Sequence, residues 1–196
     1  MTASNPPAER KPDVPRVAFQ GAFGAFSEMA IRQRWPLGAD ARPYHTFQDA
    51  IDSVLRGETD FAVLPVENAI AGRVTAAHDA LDAAGDALVR QSDLRVDVRL
   101  CLIAPRGATL QGVRVVHSHP MALAQCRIFF ARHDWLTPAP HEDTAGAAGD
   151  VAAWNDVTVG AIASEAAAVR HGLDVVMRNI EDMPANWTRF LVVSAR

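Results

Sequence analysis

Short apolar runs alternate with amphipathic stretches along this chain from Val17 onward. The run RVAFQG, residues 16–21, has the length and apolar content of a buried strand, and SEMAIRQRW, residues 27–35, has apolar residues at helical spacing. Ser27 is of a type that caps helix starts, so these residues predict a strand, a glycine-containing loop and a helix. Repetition of such units is typical of an α/β fold on a mostly parallel sheet.

The alternation continues through residues 41–84 and then changes character. Thr46 is predicted to cap a helix over FQDAIDSVLRGE, residues 47–58, which Gly57 ends. The other predicted elements of this part are the strands ARPYH (41–45) and DFAVLPVEN (60–68) and the helix VTAAHDALDAA (74–84). Apolar and polar residues then alternate over residues 87–105, which predicts extended strands that cross from one part of the fold to another.

The pattern starts again at Val113, and Pro120, a residue favoured in a first helical turn, predicts a helix over residues 120–133. The remaining predictions are the strands VRVVHS (113–118), VTVGAIA (157–163), LDVVMRNI (173–180) and TRFLVVSA (188–195), the helices TAGAAGDVAAWN (144–155) and SEAAAVRHG (164–172), and the exit segment TPAPHED (137–143). The last strand has to join a sheet already begun. We therefore predict two α/β lobes, residues 16–95 with 185–196 and residues 96–184, with the site in the cleft between them.

Composition and charge narrow the range of partners. The 196 residues are 49% hydrophobic, with a formal net charge of −4 at pH 7, so they lack the excess of Lys and Arg that binds nucleic acid or anionic membranes. A small molecule is the expected partner. Residues 1–15 hold four prolines and mixed charges without the apolar core of a secretory signal, which predicts a disordered tail. With Cys101 and Cys126 as the only cysteines and no apolar stretch long enough to span a bilayer, we expect a cytoplasmic protein.

Polar residues gather where predicted strands lead into helices, the position at which open α/β sheets bind ligands. These residues are Gly21, Gly24, Ser27, Glu67, Asn68, Ser118, His119, Asp143, Thr144 and Ser164. Helix N-termini offer free amides and partial positive charge, so a cleft with several of them favours a carboxylate, and a dicarboxylate would use two. The competing interpretation is that Ser27, Thr144 and Ser164 are ordinary helix caps, like Thr46.

Other chemistries have weaker support. His117, His119, His133 and His141 match no common zinc spacing and no cysteine pair assists them, so no metal is expected. The phosphate-loop and dinucleotide fingerprints are missing, as is the Gly-x-Ser-x-Gly motif, and no cofactor is predicted. Cys126 lies among helical apolar residues and is expected to be a core residue rather than a nucleophile.

The segment NWTRFLVV, residues 186–193, is an unusual strand because polar side chains crowd its start. Thr188 alone is no more than a β-branched residue in a favourable place. Arg189 changes this interpretation, because a guanidinium within an apolar strand has to be exposed or paired with a carboxylate. Glu67 is the candidate partner if the two strands share a lobe.

Five segments together resemble the catalytic domain of the prephenate dehydratase family, over nearly all of residues 16–195. They are GAFGAFSEMA (21–30), DFAVLPVENAIAGRV (60–74), SHPMALAQC (118–126), DTAGAA (143–148) and NWTRFLVV (186–193). The last resembles the family's Asn-x-Thr-Arg-Phe signature and is the most specific. The resemblance implies an α/β fold of two lobes, like the periplasmic-binding-protein type II fold, with an active site in the interlobe cleft. It also implies decarboxylating dehydration of prephenate to phenylpyruvate, on the route to phenylalanine.

The resemblance assigns a catalytic role to the start of the last strand. Thr188 is implied to be the essential hydroxyl, which hydrogen-bonds or relays a proton to the departing hydroxyl of the substrate. A Thr hydroxyl is a poor acid by itself, so we expect Asn68 and Glu67 as hydrogen-bonded neighbours. Arg189 is expected to organise Glu67 or the strand end rather than to bind substrate.

The two carboxylates of the substrate are expected at different places. The pyruvyl carboxylate is expected on helix N-termini, at Ser27 and at the Asp-Thr-Ala motif formed by Asp143, Thr144 and Ala145. The ring carboxylate is expected in a drier part of the cleft near Phe190, where lost hydration favours its departure as neutral gas.

Four residues depart from the commoner family pattern: Ala25 where Thr is usual, Ala69 where Ser is usual, Met121 where Gln is usual, and Asp143 where Ser is common. These departures keep two alternatives open, a dehydratase that prefers the amino analogue arogenate and a two-lobed module that binds small carboxylates without catalysis.

The sequence stops at Arg196, so no ACT regulatory domain is expected, nor feedback inhibition by phenylalanine unless a separate chain supplies it. We expect a homodimer.

Overall fold

Two β-sheets form the frame of the chain in a computed structural model that describes residues 14–196. The predicted disordered tail, residues 1–15, lies outside the described residues except for its last two. The strands are β1 (Arg16–Gln20), β2 (Asp40–Tyr44), β3 (Phe61–Asn68), β4 (Gly72–Arg73), β5 (Leu88–Asp97), β6 (Cys101–Ala104), β7 (Val115–Ser118), β8 (Thr137–Pro140), β9 (Val159–Ala163), β10 (Asp174–Met177) and β11 (Trp187–Ala195). The helices are α1 (Phe26–Arg34), α2 (Phe47–Leu55), α3 (Thr75–Ala84), α4 (Pro120–Ala124), α5 (Arg127–Arg132), α6 (Thr144–Trp154) and α7 (Glu165–His171), with a 3-10 turn at Gly85–Ala87.

The first sheet has the strand order β2-β1-β3-β11-β5, and the short β4 pairs with the end of β3. β1 is parallel to β2 and β3, whereas β11 is antiparallel to both β3 and β5. Helices α2 and α3 cover one face through side chains such as Ile51 and Leu81, which pack with Leu191. Helix α1 covers the other face, where Ile31 packs with Phe190. The apolar run of β11 is therefore buried on both faces of the sheet, as its composition predicts.

The second sheet has the strand order β10-β6-β9-β7-β8. β7 is parallel to β8 and β9, and β6 is antiparallel to β9 and β10. Val151 of α6 and Ala167 of α7 pack on one face, and Phe129 of α5 packs on the other. Cys126 is fully buried beside Phe129, so the expectation of a core position is confirmed, and burial raises the pKa of its thiol.

The chain passes between the sheets twice, through residues 98–100 and through residues 178–186. The strands of the first sheet lie within residues 16–97 and 187–195, and those of the second within residues 101–177. The predicted lobes, residues 16–95 with 185–196 and residues 96–184, stay a prediction that this division of the strands supports.

One close contact joins the loop after β1 to the start of α7. The carbonyl of Gly24 accepts a hydrogen bond from the Ser164 hydroxyl at 2.6 Å. A Cβ atom on Gly24 would lie 2.7 Å from the Cα atom of Ala167, and the φ angle of +96° belongs to the left-handed region. Glycine is therefore required for this loop to reach the second half of the molecule.

Two of the predicted helix caps are present in the structure and two are not. Thr46 caps α2 and Ser164 caps α7, each by accepting a bond from a backbone amide. Ser27 is not a cap, because α1 begins at Phe26 and its N-cap, Ala25, has no side-chain acceptor. Thr144 is not a cap either: the carboxylate of Asp143 accepts from the Gly146 amide instead.

The predicted helix over residues 120–133 is divided in the structure. α4 ends at Ala124 and α5 begins at Arg127. Asp182, from the segment that returns to the first sheet, accepts hydrogen bonds from the amides of Arg127 and Ile128 at 3.0 and 2.9 Å. Its carboxylate therefore caps a new helix start, and a partner so far along the chain leaves no local signal in the sequence.

The segment predicted to lead out of the helix over residues 120–133, residues 137–143, contains the edge strand β8. Pro138 and Pro140 are tolerated there because an edge strand needs only half of its backbone groups for pairing. Within residues 14–196, no helix combines the length and the apolar content needed to cross a membrane.

Candidate active site

A cavity of about 370 Å³ lies between the two sheets, beyond the carboxyl ends of β1 and β3. Both halves of the chain line it: Gln20, Gly21, Ala25, Phe26, Ser27, Pro65, Asn68, Ala71, Val74, Thr188 and Phe190, and from the residues beyond β5 Val98, Leu100, His119, Met121, Ala122, Gln125, Asp143 and Thr144. Most of these side chains are apolar, and Asp143 is the only acidic one among them. An apolar cleft with a few convergent polar groups is the usual form of a small-molecule site.

A β-bulge shapes the floor of this cavity. Thr188 pairs with Asn68, whereas two residues further along Phe190 pairs with Pro65, so β3 carries one extra residue in this interval. Side chains alternate along a strand, and without the extra residue positions 65 and 68 would point to opposite faces. The bulge therefore brings both Pro65 and Asn68 to the cleft, while Glu67, which precedes Asn68, faces the other side of the sheet.

The amide of Asn68 holds the hydroxyl of Thr188 in one orientation. The side-chain Nδ2 of Asn68 donates to Thr188 Oγ1 at 3.0 Å and also to the carbonyl of Trp187 at 3.0 Å. Its Oδ1 accepts from the backbone amides of Ile70 and Ala71 at 3.0 and 2.9 Å. Because those two amides can only donate, they fix which end of the Asn68 side chain faces Thr188.

The hydroxyl of Thr188 therefore has its proton available. Its oxygen already accepts from Asn68, and a hydroxyl has a single proton to donate. Thr188 is 8% exposed and lines the cavity, so this proton can be directed into the space that a ligand would fill. The arrangement suits a donor to a ligand oxygen.

Two further amides extend this contact to the second half of the chain. Asn186 is 1% exposed, and its Nδ2 donates to Gln125 Oε1 at 3.1 Å. Its Oδ1 lies 3.1 Å from Asn68 Nδ2, whose two protons are shared among this oxygen, Thr188 Oγ1 and the Trp187 carbonyl. Gln125 lies at the C-terminal end of α4 and lines the cavity. A chain of neutral side chains thus joins the two walls of the cleft at its floor, where buried amides need such partners.

Glu67 and Arg189 lie behind the floor rather than in the cleft. Arg189 donates from Nε to Glu67 at 3.0 Å and from a terminal nitrogen to Asp93 at 2.9 Å. Its hydrogen bonds to Asp93 and to Glu67 raise the pKa of the guanidinium. The expected Arg189–Glu67 pair is present, but the structure does not bring Glu67 to Thr188, because Glu67 and Asn68 are consecutive strand residues whose side chains point to opposite faces.

Two helix N-termini meet the cavity, with different caps. α1 starts beside the methyl group of Ala25, and helix geometry leaves the backbone amides of Phe26 and Ser27 without intrahelical partners. α6 starts at Asp143, whose Oδ1 accepts from Gly146 at 2.6 Å. Ser27, Asp143 and Thr144 line the cavity, whereas Ala145 is 1% exposed and is not among the lining residues.

Several residues of the site were not assigned to it from the sequence. They are Gln20, Met121, Gln125, Asn186 and the apolar wall of Phe26, Val98 and Leu100. Asn186 had a usable signal, since it lies two residues before Thr188 and alternate strand residues share a face. Gln125 had none, because its position depends on the interruption between α4 and α5 that Asp182 stabilises.

The profile of the family described as prephenate dehydratase matches residues 17–196. A bifunctional N-acyl-homoserine lactone acylase/prephenate dehydratase from Komagataeibacter europaeus is 41% identical over 180 residues, covering 92% of this chain and 63% of that protein. Arogenate dehydratase/prephenate dehydratase 2 from Arabidopsis thaliana is 38% identical over 179 residues, covering 91% of this chain and 46% of that protein. The chain thus spans between about half and two thirds of the length of these relatives.

Solved structures agree with this similarity. The prephenate dehydratase of Arthrobacter aurescens, crystallised with L-Phe, superimposes with a TM-score of 0.84 at 30% identity, covering 92% of this chain and 60% of that one. The predicted α/β fold class is confirmed, because the two sheets with their helices superimpose on a prephenate dehydratase.

Proposed function

Because the chain belongs to the prephenate dehydratase family, we propose that it catalyses the decarboxylating dehydration of prephenate to phenylpyruvate. The observation that carries this proposal is the hydroxyl of Thr188, held by Asn68 so that its proton can reach a ligand in the cleft. In this reaction the bond between the ring and its carboxylate breaks, the electron pair enters the ring, and the hydroxyl at the opposite ring carbon leaves. The ring becomes aromatic, so the protein has to supply geometry and a proton for the leaving oxygen.

Thr188 donates that proton and Asn68 makes the donation easier. As the proton moves towards the leaving oxygen, negative charge develops on Thr188 Oγ1, and the N–H that already points at this atom stabilises the charge. Water then restores the proton. Assistance of this kind contributes about 10²-fold to 10⁴-fold in rate.

The apolar wall assists the loss of carbon dioxide. Phe190 is 2% exposed and Leu100 1% exposed, and both line the cavity beside Thr188. A ring carboxylate placed against them has few water molecules around it. Poor hydration of the anion favours its departure as a neutral gas.

The carboxylate of the pyruvyl side chain binds at the N-terminus of α1. The amides of Phe26 and Ser27 at the start of α1 have no intrahelical partners and carry the partial positive charge of the helix end. The start of α6, at Thr144 and Ala145, was the second place expected from the sequence, but the Asp143 carboxylate that caps this helix end opposes a second anion there.

Glu67 and Arg189 support the floor and do not touch the substrate. Their ion pair and the contact of Arg189 with Asp93 bind β3, β11 and β5 together immediately behind Thr188. Glu67 was also expected as a partner of the Thr188 hydroxyl, and in this proposal Asn68 alone has that role. Phe190 anchors the strand in the core and forms part of the cleft wall.

Acyl transfer, named for one bacterial relative, has less support in this cleft. A nucleophilic hydroxyl needs a base that accepts its proton. The described contact of Thr188 Oγ1 is with an amide that donates, so the oxygen is prepared to release a proton and not to be activated for attack.

The test is the incubation of purified protein with prephenate and measurement of phenylpyruvate. We expect turnover by the wild type, measurable activity in Thr188→Ser, and a loss of at least about 10²-fold in Thr188→Ala, since the hydroxyl is kept in one and lost in the other. Circular dichroism checks that the variants are folded. Normal turnover by Thr188→Ala would overturn the assignment, and ligand binding without any phenylpyruvate would favour a non-catalytic module.

A homodimer and a cytoplasmic location stay predictions. Sedimentation equilibrium of the purified chain measures the oligomeric state, and we expect a two-fold symmetric pair. Two buried free cysteines, Cys101 and Cys126, fit a reducing compartment.

A further inference from the structure

Asp143 introduces a negative charge where a carboxylate of the substrate is expected. Its Oδ1 accepts from the amide of Gly146 at 2.6 Å, so the carboxylate lies directly at the N-terminus of α6. Asp143 and Thr144 both line the cavity that Thr188 faces. A second anion on the same helix end would meet the charge of Asp143 at short range, where like charges repel.

The cleft offers little positive charge to offset Asp143. None of the residues that line the cavity is Lys or Arg. His119 is the one basic side chain among them, and its Nδ1 accepts from the amide of Met121 at 3.1 Å. The adjoining outer cavity, which shares Asp143 and His119, adds His45 and the acidic residues Asp79 and Glu142. The α6 side of the cleft is therefore acidic overall.

The α1 side of the cleft has the opposite character. The N-cap there is Ala25, so no side-chain anion competes for the amides of Phe26 and Ser27. Glu28, the acidic residue of that first turn, binds Gly24 and Arg32 with its two carboxylate oxygens and is 6% exposed. One helix start thus accepts an anion, while the other presents one.

We propose that Asp143 is a specificity-determining residue that pairs with an ammonium group, so that the cleft accepts arogenate, the amino analogue of prephenate, beside the keto acid. An amino-acid side chain carries a carboxylate and an ammonium on the same carbon. The carboxylate binds at the start of α1 and the ammonium faces Asp143. This inference rests on the proposed function, because it assigns the substrates of the same cleft.

The test compares kcat/KM for arogenate and for prephenate in the wild type, Asp143→Asn and Asp143→Ser. Asn and Ser both cap helices well, so α6 keeps its start while the charge is removed. We expect the ratio of arogenate to prephenate to fall about tenfold in both variants, because removal of the charge weakens the ammonium contact and relieves the repulsion of a dianion. The change should lie mainly in KM, and salt should reduce it.

A matched control removes a charge from the other end of the same helix. Asp156 follows the C-terminus of α6, is exposed, and bonds to Thr158 outside the cleft. Asp156→Asn is expected to leave the substrate ratio unchanged. An unchanged ratio in both Asp143 variants, or an equal fall in Asp156→Asn, would overturn the role of Asp143.

Binding measurements separate this inference from the proposed function. Calorimetric titration with L-phenylalanine and with phenylpyruvate compares the ammonium and keto forms without any turnover. We expect Asp143→Asn to lower the affinity for L-phenylalanine relative to phenylpyruvate about tenfold. If neither substrate reacts but the relative affinity changes as expected, the proposed function fails and Asp143 keeps its role in binding the ammonium group. If neither ligand binds, or if the relative affinity does not change, the role of Asp143 is contradicted.

Discussion

The two ends of β3 are held in different ways. At its start, Asp60 accepts from the backbone amide of Arg16 at 2.8 Å and from the Arg16 guanidinium at 2.6 Å, on the surface. At its end, Asn68 uses a neutral amide to hold Thr188 and two backbone amides, within the cleft. Charge is placed where water screens it, and neutral hydrogen bonds are placed where a charged ligand has to enter.

This difference follows from the direction of the strand. In open α/β sheets, ligands bind beyond the carboxyl ends of the strands, and β3 reaches the cleft with its C-terminal residues. A guanidinium beside Thr188 would compete for the oxygen of the hydroxyl and for the carboxylates of the substrate. The alternation of side chains avoids this, because Glu67 and Arg189 are the chain neighbours of Asn68 and Thr188 and point to the back of the sheet. The front of the strand end is then free for chemistry.

The largest effect is expected when the hydrogen-bond donor of Asn68 that faces Thr188 is replaced by an acceptor. Asn68→Asp keeps the bonds to the amides of Ile70 and Ala71, but its other oxygen can only accept and would take the proton of Thr188. We expect kcat/KM to fall by about 10²-fold to 10⁴-fold, the range of proton donation itself, with little change in secondary structure. Steady-state kinetics and circular dichroism measure the two quantities.

The control for Asn68 is an amide outside the cleft. Gln91 donates to Ser194 on the exposed edge of the first sheet. Gln91→Glu is expected to keep normal kinetics. If Asn68→Asp also kept them, the orientation of the Thr188 hydroxyl would not depend on Asn68.

A smaller effect is expected from Gln125, one step further from the hydroxyl. Gln125→Ala leaves Asn186 without its acceptor and so loosens the amide that helps to hold Asn68. We expect kcat to fall about tenfold, which corresponds to the net contribution of one hydrogen bond. Comparison of Gln125→Ala in the wild type and in Asn68→Ala tests the connection: independent, additive effects on kcat would show that the two residues do not act through one network.

The back of the strand end should matter less than the front. Arg189→Gln removes the ion pairs with Glu67 and with Asp93. The side chains of both pairs are about half exposed to solvent. Exposed pairs contribute about 0.2–1 kcal/mol each, so we expect a small fall in the free energy of unfolding and a change in kcat/KM of no more than about threefold. A loss as large as that of Asn68→Asp would mean that Arg189 contacts the substrate.

The sequence predicted most elements of the fold and part of the site. Alternating strands and helices have local periodicity, and Thr46 and Ser164 are caps whose partners lie within three residues. Glu67 and Asn68 face opposite sides of their strand, but which of them faces the cleft depends on pairing with β11 more than a hundred residues away. The break between α4 and α5 depends in the same way on Asp182. Local signals predict elements, whereas the orientation of side chains in the cleft depends on contacts between distant segments.

The smallest effect is expected at the start of β3, and it should depend on pH. The hydrogen bond from Arg16 holds the pKa of Asp60 below its usual value. A carboxyl group whose pKa is lower in the folded state stabilises the fold above its unfolded pKa, and this contribution is lost as the pH falls through the folded pKa. Asp60→Asn should therefore lower the free energy of unfolding at pH 7 by no more than about 1 kcal/mol, since the pair is exposed to solvent.

The same variant should differ less from the wild type in acid. Urea unfolding at pH 7 and near pH 3 measures the difference, which we expect to shrink at the lower pH because the wild-type carboxylate then becomes protonated. Kinetics at pH 7 should be unchanged, because Asp60 lies at the opposite end of β3 from Thr188. A marked loss of turnover in Asp60→Asn would contradict the division between the ion-paired start of the strand and the neutral side chains that face the cleft at its end.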